Sequence, residues 1–134
     1  MLLQPKKLKY KKPSKGRLPK LNFKSNTLKF GLIGLKAAES GIISSRNIEA
    51  ARQAINRKIK RKGKIWIRIF PHFPTTSKSI GSRMGKGKGS FNHFSAKISG
   101  GTVIFEIVGV SENTARSAFK TGSAKLPIKT RVIK

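Results

Sequence analysis

Hydrophobic positions along the chain fall into short blocks with two periods, one of about two residues and one near 3.6. Thr27–Ala37 alternates in part, with Leu28, Phe30 and Leu32 on one side and Thr27, Lys29 and Gly31 on the other, which predicts a half-buried strand. Gly41 then breaks the chain before a helix expected from about Ser45 to Lys62. Ser44 suits its N-cap, Glu49 lies near its positive end and Gly63 fits the C′ position. Ile48, Ala51, Ile55 and Ile59 form its core stripe, with Arg46, Gln53, Arg57, Lys60 and Arg61 broadly opposite. Lys64–Phe70 alternates Ile65, Ile67 and Ile69 with Trp66, Arg68 and Phe70, a strand with apolar bulk on both faces. Trp66 reads as a packing residue, and Arg68 beside it as facing a partner.

Pro71–Ser90 has neither period, and its prolines and glycines predict a loop of about 20 residues. Phe91–Ile98 and Thr102–Val108 read as a hairpin around Gly100-Gly101, with Val103, Phe105 and Ile107 facing one way. A second helix is expected from about Glu112 to Thr121, capped by Ser111, ended by Gly122 and facing inward through Ala115, Ala118 and Phe119. Ala124–Ile133 closes as a strand, with Pro127 at an edge or first position. These elements predict an α+β fold, a mostly antiparallel sheet with two helices packed on it. Residues 1–27 form a basic arm without hydrophobic periodicity, punctuated by Pro5, Pro13, Gly16 and Pro19, ahead of a single domain at 28–134.

Charge changes this picture most. The 134 residues hold 31 Lys and Arg against 4 acids (Glu39, Glu49, Glu106 and Glu112), a net charge of +27. Such self-repulsion calls for a polyanionic partner, and nucleic acid also rewards binding through counterion release. The arm carries nine of the basic residues, among them Lys6, Lys7, Lys9, Lys11, Lys12, Lys15 and Arg17, with Tyr10 and Phe23 available for stacking. The loop's end, Ser82-Arg83-Met84-Gly85-Lys86-Gly87-Lys88-Gly89-Ser90, alternates glycine with lysine. Its glycines let backbone N–H groups approach a surface, and its cations pair with phosphate oxygens. Arg46, Arg52, Arg57, Arg61, Arg68, Lys125 and Lys129 complete the candidate RNA-contacting set.

Catalytic and cofactor chemistry finds little support. Cysteine is absent, and two histidines (His72, His93) with four scattered glutamates give no triad and a poor zinc set. The glycine loop is not a nucleotide-hydrolysing cradle: Gly81 to Gly85 is one residue short, and Gly87 stands where the magnesium-binding hydroxyl belongs. No cofactor or metal is expected. No apolar run is long enough to span a bilayer, and the helical stripe is too narrow for a membrane-active protein. A free DNA- or RNA-binding regulator is the remaining alternative, though no helix-turn-helix or zinc module is visible.

Several segments together resemble one family: Leu3-Gln4-Pro5-Lys6, Ile48-Glu49-Ala50-Ala51-Arg52, Gly63-Lys64-Ile65-Trp66-Ile67-Arg68-Ile69-Phe70-Pro71, Arg83-Met84-Gly85-Lys86-Gly87-Lys88-Gly89 and Ala124-Lys125-Leu126-Pro127-Ile128-Lys129-Thr130. Collinear from end to end, they resemble ribosomal protein sixteen of the large subunit, the bacterial and organellar form of a universal component. The resemblance implies a structural, non-enzymatic protein with an α+β sandwich-like fold that binds large-subunit rRNA near the peptidyl transferase centre. It also implies contact with A-site and P-site tRNA and neighbouring ribosomal proteins, with the loop at Arg83 and Met84 pointing toward the catalytic centre. In some bacteria the arginine matching Arg83 is hydroxylated. The chain departs from the family at His72, often acidic there, at Gly81-Ser82, usually bulkier, and in a second helix that keeps only Glu112 as an acid. The excess of lysine over arginine, the abundance of Ile, Asn, Ser and Phe, and the lack of a presequence before the family's start favour a mitochondrion over a plastid or the bacterial cytoplasm.

Overall fold

The computed structural model describes residues 3–18 and 21–134. The Met1-Leu2 start, the arm's Pro19 and its basic Lys20 lie outside the described residues. The elements are β1 (Ile33–Ala37), β2 (Gly41–Ser44), α1 (Ser45–Lys58), β3 (Lys64–Ile67), β4 (Phe73–Ser77), β5 (Ser90–Ile98), β6 (Val103–Val108), α2 (Glu112–Ser123) and β7 (Thr130–Ile133). They build two antiparallel sheets, one ordered β3-β6-β1-β7 and one ordered β2-β5-β4. The α+β class and antiparallel pairing expected from the sequence are what the chain adopts.

The helices pack on each other; α1 also touches β2, β5 and β3, and α2 touches β1 and β7. One core results, in which Ile48, Ala51 and Ile55 of α1 meet Ala115, Ala118 and Phe119 of α2 and Leu35, Phe105 and Ile107 of the larger sheet. The expected α1 stripe is therefore the buried face. Ser44 caps the helix as expected, its Oγ accepting from the backbone N–H of Asn47 at 3.2 Å.

Tertiary context overrides the local reading at several places. The first strand begins at Ile33, and its buried set is Ile33, Leu35 and Ala37, whereas Phe30 and Leu32 are 58% and 69% exposed. The residues before it cross the outer face of the sheet instead of extending it: Leu28 lies over Gly34 and Phe30 stacks on Trp66. Gly41–Ser44 is a strand, not merely a break, and four residues are too few to show a period. Phe73–Ser77 is a strand within the expected loop, tolerating Pro74 because it lies at the sheet's edge.

Gly100-Gly101 makes no hairpin. β5 is flanked by β2 and β4, and β6 by β1 and β3, so the chain turns there from one sheet into the other. Hydrogen bonds between Ala37 and the corner, Gly101 N–H to Ala37 O and Ala37 N–H to Thr102 O, both 2.8 Å, hold the turn. Nor does β6 have a single inward face, because Val103–Ile107 is buried throughout.

Both helix ends differ as well. α1 stops at Lys58, and Lys60 and Arg61 take left-handed φ values of 54° and 61° before Gly63. α2 runs on through Gly122 to Ser123. A Cβ on Gly122 would lie 2.5 Å from Ile55 Cγ1, so this glycine sets the closeness of the two helices and does not end one. The last strand is confined to Thr130–Ile133, at an edge, with Pro127 outside it.

Candidate nucleic-acid interface

The glycine-lysine segment hangs from the end of the β4–β5 pair, which closes at Ser77 opposite Ser90. Gly89 lies so close to Ser77 that a Cβ there would sit 2.2 Å from its carbonyl oxygen, which pinches the loop at its base. Beyond that pinch, residues 78–88 are exposed. Gly85 and Gly87 hold φ of 76° and 81° with open space around them, so backbone conformation, not crowding, demands glycine there. Met84 is 89% exposed at the tip. Among the described residues, neither the Arg83 guanidinium nor the Lys86 ammonium is taken by an internal ion pair.

The arm comes to this loop. Lys12 Nζ donates to the carbonyl of Lys88 at 3.0 Å, and Lys88 Nζ donates back to the carbonyl of Pro13. Lys97 on β5 donates to the carbonyl of Lys15 and stands 3.9 Å above the Phe73 ring. Leu3, Pro5, Leu8, Pro13 and Leu18 are half-buried, while Lys6, Lys7, Lys9, Lys11, Lys12, Lys15 and Arg17 are exposed. Apolar residues thus tack the arm to the domain and its cations face outward. Arm and loop form one continuous basic surface, which their separation in sequence did not reveal.

The other candidates lie apart from that junction. Arg46 and Arg57 are exposed on α1, Arg61 on the left-handed turn after it, and Lys125 and Lys129 between α2 and β7. Arg52 donates to Glu49 through Nε at 2.9 Å and Nη2 at 2.7 Å. The Arg52 hydrogen bond outweighs the effect of burial and, with Gln53, holds the Glu49 pKa at about 2. A folded-state pKa below the unfolded one gives stability that is full above the ordinary carboxylate range and is lost as pH falls toward about 2. After solvent screening of the partly exposed Arg52, the expected size is about 1 kcal/mol. Acid unfolding of Arg52→Gln should show that much less pH dependence over this window than the parent chain.

Arg68 is the clear correction. Expected to face a partner, it points its guanidinium at Glu106, with only 13% of its side chain exposed. Glu106 is fully buried beneath the segment crossing the sheet and accepts backbone N–H bonds from Lys29, from Phe30 at 2.6 Å and from Gly31 at 2.7 Å. Burial pushes its pKa up, but the donors from Gly31, Phe30, Lys29 and Arg68 more than reverse this and leave it below the usual carboxylate range. The signal in the sequence was a lone acid inside the apolar run Val103–Val108.

The remaining acids are also engaged internally. Glu39 accepts from the Lys129 N–H at 2.9 Å, and Glu112 pairs with Arg116 and Lys134, each at 2.8 Å. Among the described residues, Glu39, Glu106 and Glu112 thus find their partners within the domain and not in the arm or the glycine-lysine loop. Lys97, which ties the arm to β5, was also missed, because nothing in its local sequence distinguishes it from the other lysines. Among the described residues, no group of three His, Cys, Asp or Glu could hold a metal ion, and no helix is long and apolar enough to cross a membrane.

Fold and surface together define a small α+β scaffold that presents an exposed cationic arm and loop. The sequence pattern described as Ribosomal protein L16p/L10e matches residues 5–133, and the chain belongs to that family. It is 52% identical over 132 residues to the large ribosomal subunit protein uL16 of Halorhodospira halophila, covering 98% of this chain and 96% of that one. The same identity and coverage hold for the uL16 of Bartonella quintana. The uL16 of a Sulfurihydrogenibium species is 50% identical over 133 residues, or 99% of this chain and 96% of its own.

Proposed function

We propose that this protein is a structural component of the large ribosomal subunit, binding its rRNA through the basic arm at residues 1–27 and through the basic positions of α1 and the segment after α2. The glycine-lysine loop, with Arg83 and Met84 at its tip, reaches toward the peptidyl transferase centre and helps organise the binding of A-site tRNA, with P-site tRNA and neighbouring ribosomal proteins close by. One observation carries this reading: arm and loop are joined into a single cationic surface, Lys12 and Lys88 each donating to a backbone carbonyl of the other segment. A loop held at its base, with exposed cations and left-handed glycines at its end, fits a sugar-phosphate backbone better than a protein partner. The high lysine content, together with abundant isoleucine and asparagine, supports a mitochondrial ribosome as its setting.

The expected result is co-sedimentation with large subunits in a sucrose gradient at moderate salt, with release only as salt rises steeply. A protein found mainly free of ribosomal particles under those conditions would sink the reading and favour a nucleic-acid regulator outside the ribosome.

A further inference from the structure

We propose that the cleft between residues 21–26 and the β1–β7 edge of the larger sheet binds a single unstacked nucleotide of RNA. This deepens the rRNA-binding reading and rests on it. The cleft has a volume of about 340 Å³, and its lining includes Leu21, Phe23, Asn26, Lys36, Arg131 and Ile133. A site of this size is at the lower end of ligand pockets.

Three features select the occupant. Lys36 and Arg131 stand directly opposite each other in the β1–β7 register. Like charges placed so repel each other, and no acid lines the cleft to relieve them. Lys36 is also half-buried, which sharpens its need for an anion. A phosphate between the two side chains supplies one, held by charge-assisted hydrogen bonds.

Phe23 is 81% exposed at the rim, yet its neighbour is firmly held. Asn22 donates its backbone N–H to Gly100 O at 2.8 Å and its amide Nδ2 to Thr102 Oγ1 at 3.2 Å, while its Oδ1 accepts from the N–H of Lys24. An aromatic ring kept outside the core on an anchored turn is a stacking platform for a base. Asn26, the third feature, brings both a donor and an acceptor to the same cleft, suited to the edge of a nucleobase. A protein tail added to β7 would use the strand's backbone edge and would have no need of paired cations below an exposed ring.

The test compares the full chain with its Phe23→Ala, Phe23→Tyr and Arg131→Gln variants, binding a short single-stranded RNA and an RNA duplex of matched charge. Phe23→Ala is expected to weaken single-strand binding about tenfold and leave duplex binding nearly unchanged. Phe23→Tyr should retain single-strand binding, and Arg131→Gln should lower the salt slope by about one. Thermal unfolding of each variant checks that the fold is kept. In large subunits carrying the protein, ultraviolet cross-linking should join the Phe23 peptide to a nucleotide.

Parent binding to both RNAs with no loss, or an equal loss on both, in Phe23→Ala would overturn the pocket and leave the rRNA reading standing. A cross-link from the Phe23 peptide to a neighbouring protein would do the same. A parent chain that binds neither RNA would overturn both.

Discussion

Replacing Glu106 with alanine is expected to lower the unfolding free energy by about 3–5 kcal/mol, the range for breaking a buried ion pair from one side. The substitution strands the Arg68 guanidinium, whose side chain is 13% exposed, without its counter-charge. It also removes the acceptor for the backbone N–H groups of Lys29, Phe30 and Gly31. The consequence is more than local, because those bonds hold the crossing segment on the outer face of the sheet. That segment places Phe30 on Trp66 at a ring separation of 6.0 Å, with Arg68 5.2 Å from the Phe30 ring. Thermal unfolding should show a fall in midpoint of roughly 10 °C or more, and the fluorescence of Trp66 should report a wetter ring in the native state. Arg68→Met is expected to cost less, since the carboxylate keeps its three backbone donors. A loss below about 1 kcal/mol for Glu106→Ala would show that the segment is held by its apolar contacts alone.

The double variant Arg83→Ala, Lys86→Ala is expected to assemble into large subunits at near-normal levels while binding A-site tRNA about tenfold more weakly. A tenfold loss is about 1.4 kcal/mol, near the lower end of what one hydrogen bond to a charged group contributes. Assembly is spared because both side chains are exposed in the loop and, among the described residues, neither takes part in an internal ion pair. The midpoint of unfolding of the isolated chain should accordingly move little. Arm variants such as Lys9→Ala, Lys11→Ala should behave in the opposite way, lowering occupancy in the particle more than tRNA binding. Sedimentation of particles and a tRNA-binding measurement on the same preparation separate the two effects. Equal assembly defects from loop and arm would remove the proposed division of labour.

The misread elements share physical causes. The strand expected over Lys64–Phe70, which ends at Ile67, and the 3.6-residue stripe of α1 were legible because each rests on an apolar period within its own segment. β2 and β4 were not, because a strand of four or five residues containing Gly or Pro has no local signature, and pairing with β5 is what makes each one a strand. The Gly100-Gly101 corner carries the same residues as a hairpin turn. Which partner each flanking strand finds depends on the edges offered by β1–β4, which lie outside the corner's own sequence. Gly122 likewise resembles a helix terminator, and only the proximity of Ile55 on the other helix shows it to be a packing position.

The candidate interface divides along the same line. Composition alone determined that this chain needs a polyanion, since 31 basic residues against 4 acids leave an excess that no internal pairing could cancel. The glycine-lysine alternation likewise marked the loop, because only glycine takes left-handed backbone so readily and only cations meet phosphate there. Which cations are free to act was decided by the tertiary structure. It turned Arg68 inward to a buried carboxylate, paired Arg52 with Glu49, and brought the arm, some 75 residues earlier in the chain, onto the loop through Lys12 and Lys88. A charge is assigned to partner or scaffold by what the fold places beside it, and that neighbour is set by packing across the chain, beyond the reach of any local pattern.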